Sequence, residues 1–301
     1  METESSIKFS IIIPTYNRVD LIMETLDSVF QQTYTSFEII VVDNCSTDHT
    51  AQVLKPFIDS GKIRYICHDK NYERARSRNT GIENAVGEFV TFLDSDDFLY
   101  PDCLKDAAEF IIRNPEIKFF QNLYELVNDK KEHIYSYDFP SLKNQYKAIA
   151  GGNFISCIGS FMHKDIYQTV RFNEDPKMIG SEDYEVWFQV LAKNNMSRID
   201  TVNAAIREHP LRSVNQGAYD NLAYQRKYLM NKIKSDELLF NKFGPYLKNL
   251  ETSYLLMEVV VANQLKDKKK AWSILKQIIR NDIKVFFKLR FLKILYNSIK
   301  S

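Results

Sequence analysis

The 301-residue chain predicts an α/β fold: a mixed, mainly parallel sheet flanked by helices, followed by a C-terminal helical appendix. Three observations predict it. Short β-branched or aromatic runs alternate with helical stretches through the N-terminal third, the pattern of right-handed βαβ units. Polar clusters follow three of those runs, where open α/β sheets hold their ligands. From about Gly217 onward the pattern is helical.

In order, Phe9 to Ile13 is a β-branched run stopped by Pro14 and the loop Thr15-Tyr16-Asn17-Arg18; a helical pattern with Leu21, Ile22, Leu26 and Val29 apolar comes next. Ile39 to Val42 is a second buried strand ending in Asp43 to Asp48, where Ser46 or Thr47 can cap the following helix. Ile63 to Cys67 is a third strand, and Glu73 to Ala85 an Arg-rich helix. Phe89, Val90, Phe92 and Leu93 form a fourth strand, apolar enough to be buried on both faces. Ile117 to Leu126 and His133 to Tyr137 read as strands, and Phe154 to His163 as an apolar stretch crossing the sheet. Ser181, a candidate N-cap, opens a helix with Val186, Trp187, Val190 and Leu191 on its inner side. The appendix reads as helices over Ala218 to Phe243, Tyr246 to Leu265, Lys269 to Asn281 and Ile283 to Ile299, with a break at Gly244-Pro245. Two regions result, 1–216 and 217–301.

The fourth strand ends in Asp94-Ser95-Asp96-Asp97. Three carboxylates in four residues repel one another and need a compensating positive charge. Oxygen-only ligands suit Mg²⁺ or Mn²⁺, which also take substrate phosphate oxygens. The bland alternative is a solvated turn capping the helix near Pro101. There is no GxGxxG after the first strand and no GxxxxGK[ST], so a nucleotide must be held in another way.

With 45% hydrophobic and 26% charged residues, the composition is that of a globular protein. Cys45, Cys67, Cys103 and Cys157 form no CxxC pair, as expected of reduced, cytosolic residues. The polar start METESSIKF is no signal peptide, and no run approaches the roughly 18 apolar residues of a membrane span. The expected place is the cytoplasm, with peripheral contact at the inner face of the membrane. Charge is uneven: residues 266–301 hold eleven Lys or Arg against two Asp, net +9, while the rest carries −8. The two readings of that tail are contact with an anionic membrane and a helical subdomain whose Phe286, Phe287, Phe291 and Leu295 pack on the protein or on a second copy.

Several segments together resemble family 2 glycosyltransferases of the GT-A fold, with its Rossmann-like nucleotide-binding sheet, over roughly residues 7 to 215. Ser10 to Arg18 resembles the opening strand and nucleotide loop. Val41 to Thr50 resembles VVDDGSxDxT, with Asn44 and Cys45 in place of Asp and Gly. Asn71 to Gly81 resembles NxGxxxARNxG, with Glu73 and Ser77 where Gly and Ala are common. Asp94-Ser95-Asp96-Asp97 is similar to the DxD motif, Ser181-Glu182-Asp183 with Trp187 to the acceptor-side ED motif, and Arg207-Glu208-His209 to the RxH signature.

The resemblance implies a metal-dependent, inverting hexosyltransferase that uses a UDP-sugar and a glycan or glycolipid acceptor in polysaccharide biosynthesis, with no nucleic-acid partner. Pro14, Thr15, Tyr16, Arg18, Asp43, Arg78, Asp94 and Ser95 would bind the nucleotide, Asp43 reading the base; Arg78 would lie near the phosphates or orient the metal-side Asp residues. Asp94, Asp96, Asp97 and His209 would hold Mn²⁺ or Mg²⁺. Glu182 and Trp187 would face the acceptor, and Asp183 would be the general base. As a first-turn residue, Asp183 is expected to have a lowered pKa and to be always ionised. Two other readings compete. A nucleotidyltransferase would want a glycine-rich phosphate loop that Pro14 to Arg18 lacks, and an inactive binding module would not need the intact acidic positions.

Overall fold

The computed structural model describes residues 6–210, 212, 221–281, 285–286 and 289–300. It divides into two compact units, one of Met1–Leu142, Ile155–Pro176 and Glu182–Arg212, the other of Lys143–Phe154, Lys177–Ser181 and Ser213–Ser301.

The first unit holds β1 (Phe9–Thr15), α1 (Ile22–Phe30), β2 (Phe37–Asp43), α2 (Thr50–Asp59), β3 (Arg64–Cys67), α3 (Glu73–Asn84), β4 (Phe89–Phe92), β5 (Phe98–Leu99), α4 (Cys103–Arg113), β6 (Phe119–Val127) and β7 (His133–Ser136). After α5 (Gln145–Ala150), which belongs to the second unit, come β8 (Ser160–His163), α6 (Lys164–Tyr167), α7 (Glu182–Lys193) and β9 (Ser197–Arg207). The strands form one sheet in the order β3-β2-β1-β4-β8-β6-β9-β5, with β7 paired to β6. β3, β2, β1 and β4 are mutually parallel, β8 is antiparallel to both neighbours, and β6 and β9 run parallel. The chain leaves β1 toward β2 on one side and returns to β4 on the other, which opens a crevice at the carboxyl ends of β1 and β4.

Ile11 and Ile13 of β1, Val41 of β2, Phe89 of β4 and Phe120 of β6 meet Leu26, Leu54 and Leu104 from the helices in one core. Phe120 lies flat on Phe161 with ring centroids 4.9 Å apart, and Phe161 meets Phe9 edge-on at 5.6 Å. β1 runs through Pro14, where the sequence predicted a stop. β4 pairs with β1 only as far as Ile12, so no neighbour needs the amide hydrogen that proline lacks. Gly87 enters β4 so close to β1 that a Cβ there would stand 2.6 Å from the Ser10 nitrogen. α2 is capped by neither Ser46 nor Thr47: Asp48 accepts from Thr50 N at 2.9 Å. The Ser181 hydroxyl, just ahead of α7, donates to Gln225 at 2.8 Å.

The second unit adds α8 (Leu222–Ser235), α9 (Glu237–Phe243), α10 (Leu247–Gln264), α11 (Lys268–Asn281) and α12 (Leu289–Lys300). The single helix expected over Ala218 to Phe243 is two, because the Asp236 carboxylate accepts from Leu239 N and starts α9 afresh; residues 218–220 lie outside the described set. The break at Gly244-Pro245 is a 3₁₀ turn over Gly244–Tyr246. Leu255 and Val259 of α10, Leu275 and Ile278 of α11, and Phe291 of α12 form a separate core. Phe286 is 39% exposed and meets Phe291 edge-on, while the side chain of Phe287 lies outside the described set. Among the described residues no helix is long and apolar enough to cross a membrane.

Candidate active site

The first two crevice loops are laced together. Asn17, in the left-handed region at φ 51°, accepts from Thr47 N, and its own amide donates to Ser46 Oγ at 2.9 Å. At the end of β2, Asp43 is buried, accepting from Ser46 N at 2.8 Å and from the Tyr65 hydroxyl at 2.6 Å. Beside it, Asn44 donates to Asn71 and accepts from Tyr72 N, and its carbonyl lies 3.0 Å from His68 Nδ1. Cys45 and Glu73, which replace the glycines of the resembled motifs, keep the glycine conformation at φ 66° and 72°. Each side chain there costs about 1–2 kcal/mol that glycine would not. Thr15 is buried with its hydroxyl unpartnered, Pro14 sits in β1, and Tyr16 is 39% exposed at the loop.

The acidic triplet separates into three environments. Asp94, at the rim, takes a 2.9 Å ion pair from Arg78 Nη2, and Ser95 beside it is buried. Asp96 lies 3.3 Å from Arg18 Nε and 3.0 Å from His209 Nε2. Burial opposes its ionisation, but His209 and the Arg18 charge prevail and hold it below the usual carboxylate range. Asp97 points inward to accept from Arg207 N at 2.9 Å, and burial together with the Asp96 and Asp94 charges pushes its pKa well above that range. Arg207 is anchored in turn by Glu24 at 2.9 Å.

On the other flank α7 presents Glu182 and Asp183. Glu182 is buried, 3.0 Å from Arg78 Nη1 and 3.6 Å from Arg74 Nε. Arg78, 2% exposed on α3, thus joins the acidic triplet to the helix that carries Asp183. Asp183 accepts from Tyr184 N at 2.6 Å. Its pKa is raised to about 7 by burial and by the Glu182 charge, with Arg78 pulling the other way. The expectation of a permanently ionised Asp183 is therefore corrected: loss of solvent and a buried neighbouring acid outweigh the helix dipole. Trp187 is fully enclosed, donating to Ile155 O at 2.8 Å and stacked on Phe119. Its visible work is to fix α7 against β6.

The structure therefore brings Asp94, Asp96, His209, Arg18, Arg78, Glu182 and Asp183 to one edge of the first unit, with Asp43 at the end of neighbouring β2. Sequence reasoning missed Tyr65, His68 and Cys157. Tyr65 was within reach of it, since β3 lies beside β2 with Val41 opposite Tyr65. Cys157, a buried thiol whose pKa burial pushes well above the usual value while the Arg78 charge opposes it, left no signal because no pattern surrounds it. Among the described residues no three metal-ligating side chains form a ready cage. Asp96 and His209 do fit a cation, one carboxylate beside one imidazole, in a site that leaves further positions to phosphate oxygens.

A mixed sheet thus carries an acidic loop at its switch point, joined through Arg78 to a second acid pair at the start of α7. The profile described as "Glycosyl transferase family 2" matches residues 10–170, and the chain belongs to that family. An "Uncharacterized glycosyltransferase" of Rickettsia felis is 30% identical over 256 residues, 81% of this chain and 40% of that protein. The "UDP-Glc:alpha-D-GlcNAc-diphosphoundecaprenol beta-1,3-glucosyltransferase WfgD" of Escherichia coli is 30% identical over 191 residues, 64% of this chain and 72% of that protein. The chain thus spans about two-fifths of the rickettsial relative's length. The crystal structure of Staphylococcus aureus TarS 1-349 in complex with UDP-GlcNAc superposes with a TM-score of 0.70 at 22% identity, covering 98% of this chain and 89% of that one, which shows the GT-A fold.

Proposed function

We propose that the chain transfers a sugar from a UDP-sugar to a hydroxyl of a glycan or glycolipid acceptor, with inversion, in cell-surface polysaccharide or glycolipid biosynthesis. The observation that carries this reading is the Arg78 bridge, which ties the acidic loop after β4 to the helix start bearing Asp183. The names of the relatives support the donor class: WfgD is named for UDP-Glc and a diphosphoundecaprenol acceptor, and TarS was crystallised with UDP-GlcNAc.

In this reading Thr15, Tyr16 and Asp43 hold the nucleoside, with Asp43 accepting from the base. Arg18 lies beside Asp96, at the side where the diphosphate would rest. Asp96 and His209, with Asp94 at the rim, would hold Mg²⁺ or Mn²⁺, which when bound offsets the negative charge growing on the departing diphosphate. Asp183 takes the acceptor hydroxyl's proton as its oxygen forms a bond to the anomeric carbon and the bond from that carbon to the diphosphate breaks. Its pKa of about 7 suits this task better than an ordinary aspartate's. A further part of the proposal is peripheral membrane contact: α11 exposes Lys268, Lys269, Lys270, Lys276 and Arg280 around Trp272.

Substitutions, pH and vesicle binding test this. Asp96→Ala should abolish the thermal stabilisation that UDP with Mn²⁺ gives the parent, and undiminished stabilisation would move the cation site elsewhere. Asp183→Asn should lose about 10²–10⁴ in turnover, the range of general-base contributions, and keep UDP affinity. The parent's rate should fall as pH drops below about 7 and Asp183 gains its proton. Because the raised pKa means that the folded state binds this proton more tightly than the unfolded chain does, stability is lost as pH rises from about 4 to about 7 and stays lost above. Asp183→Asn should therefore melt above the parent at pH 8, with the gap closing as pH falls to about 4; a loss of rate under about tenfold would remove Asp183 from the role. For the membrane, replacing Lys268, Lys269, Lys270 and Lys276 by Gln should abolish sedimentation with vesicles rich in anionic phosphatidylglycerol. Unchanged sedimentation would exclude this surface.

A further inference from the structure

The segment between β6 and α5, in which the sequence shows no motif, builds a continuous run of aromatic rings. Tyr124 of β6 packs on Tyr137 with centroids 4.7 Å apart and on Phe139 at 5.0 Å; Tyr137 in turn meets Tyr135 of β7 at 5.3 Å. The run grades from core to solvent. Tyr124 is 6% exposed, Tyr137 and Phe139 are half-buried, and Tyr135 is 49% exposed beside an equally exposed Ile134.

Its inner end lies beside the reacting edge: β6 pairs with β9 as far as Val127 opposite Arg207, whose amide donates to Asp97, and Trp187 of α7 stacks on Phe119 of β6. β6 slips register on β9 between Asn122 and Leu123 and again between Leu123 and Tyr124, the kind of irregularity that re-aims side chains next to sites. β7 has no partner but β6 among the described strands, so it is an edge. Edge strands are ordinarily blunted by charge, yet this one shows Ile134 and Tyr135 to solvent.

A pyranose has an apolar face of C–H groups and a rim of hydroxyls, and aromatic walls with few polar groups are the usual lining for such a ligand. We propose that Tyr135 and Tyr137 form the acceptor subsite, a shelf on which a sugar ring of the acceptor lies face down with a hydroxyl directed toward Asp183. The inference rests on the transfer reading above and names the acceptor class for it: a pyranoside, not a linear polyol or a peptide hydroxyl. Tyr135 offers mainly its ring face and Tyr137 the wall, so the contribution of Tyr135 does not depend on its hydroxyl.

The test is saturation-transfer NMR with the full chain, UDP, and a panel of octyl glycosides of glucose, galactose and N-acetylglucosamine. The parent should bind at least one glycoside, with transfer strongest at the C–H face. Tyr135→Ala should weaken that binding by about tenfold, equivalent to about 1.4 kcal/mol, while Tyr135→Phe keeps it and both variants keep the parent's melting temperature and UDP affinity. The shelf is overturned if a parent that binds UDP takes none of the glycosides, or if Tyr135→Ala binds them as tightly as the parent. A parent that binds no UDP overturns the transfer reading, and the shelf with it.

Discussion

Arg78 is the interaction on which the rest of the site depends. A guanidinium that is 2% exposed has lost its hydration, and its two carboxylate partners compensate: Asp94 at 2.9 Å and Glu182 at 3.0 Å. Breaking a buried pair by removing one partner costs about 3–5 kcal/mol, which applies to Arg78 with Glu182, while the partly exposed Asp94 contributes less. Glu182 lies beside Arg78, and its charge adds to burial in discouraging Asp183 from ionising. Burial and this neighbouring acid together leave Asp183 poised near neutral pH, with Arg78 opposing the shift. The placement of the acidic loop and of the start of α7 depends on one buried cation.

The crowding of Asp94, Asp96 and Asp97 is resolved in a different way for each carboxylate. Asp94 has Arg78, Asp96 has Arg18 with His209, and Asp97 is driven toward its neutral form by burial. The protein's own cations and one shifted proton thus offset much of the repulsion that the sequence set up.

The strands β1 to β4 were legible because buried parallel strands read as unbroken apolar runs. β9 was not: its first half mixes polar and apolar residues that are half-buried or exposed, and only its last five residues are buried. β5 is two residues long, too short to carry a pattern. In the site, Asp94, Asp96 and Asp183 could be named from local motifs, since each sits at the end of a strand or the start of a helix. The partnership of Arg78 with Glu182 spans 104 positions and is set by packing alone. For the same reason the helix-start argument gave Asp183 the wrong direction of shift: it counted the dipole and could not count the burial. The left-handed Cys45 and Glu73 show the reverse case, in which the resemblance to glycine-bearing motifs located a backbone conformation that these residue types disfavour.

The most direct measurement is a ¹³C NMR titration of the Asp183 carboxyl, assigned by its loss in Asp183→Asn, in the parent and in Glu182→Gln. The account predicts a midpoint near 7 in the parent that moves down toward the ordinary aspartate range when the Glu182 charge is removed. A parent midpoint already in that range, or one that Glu182→Gln leaves unmoved, would contradict it.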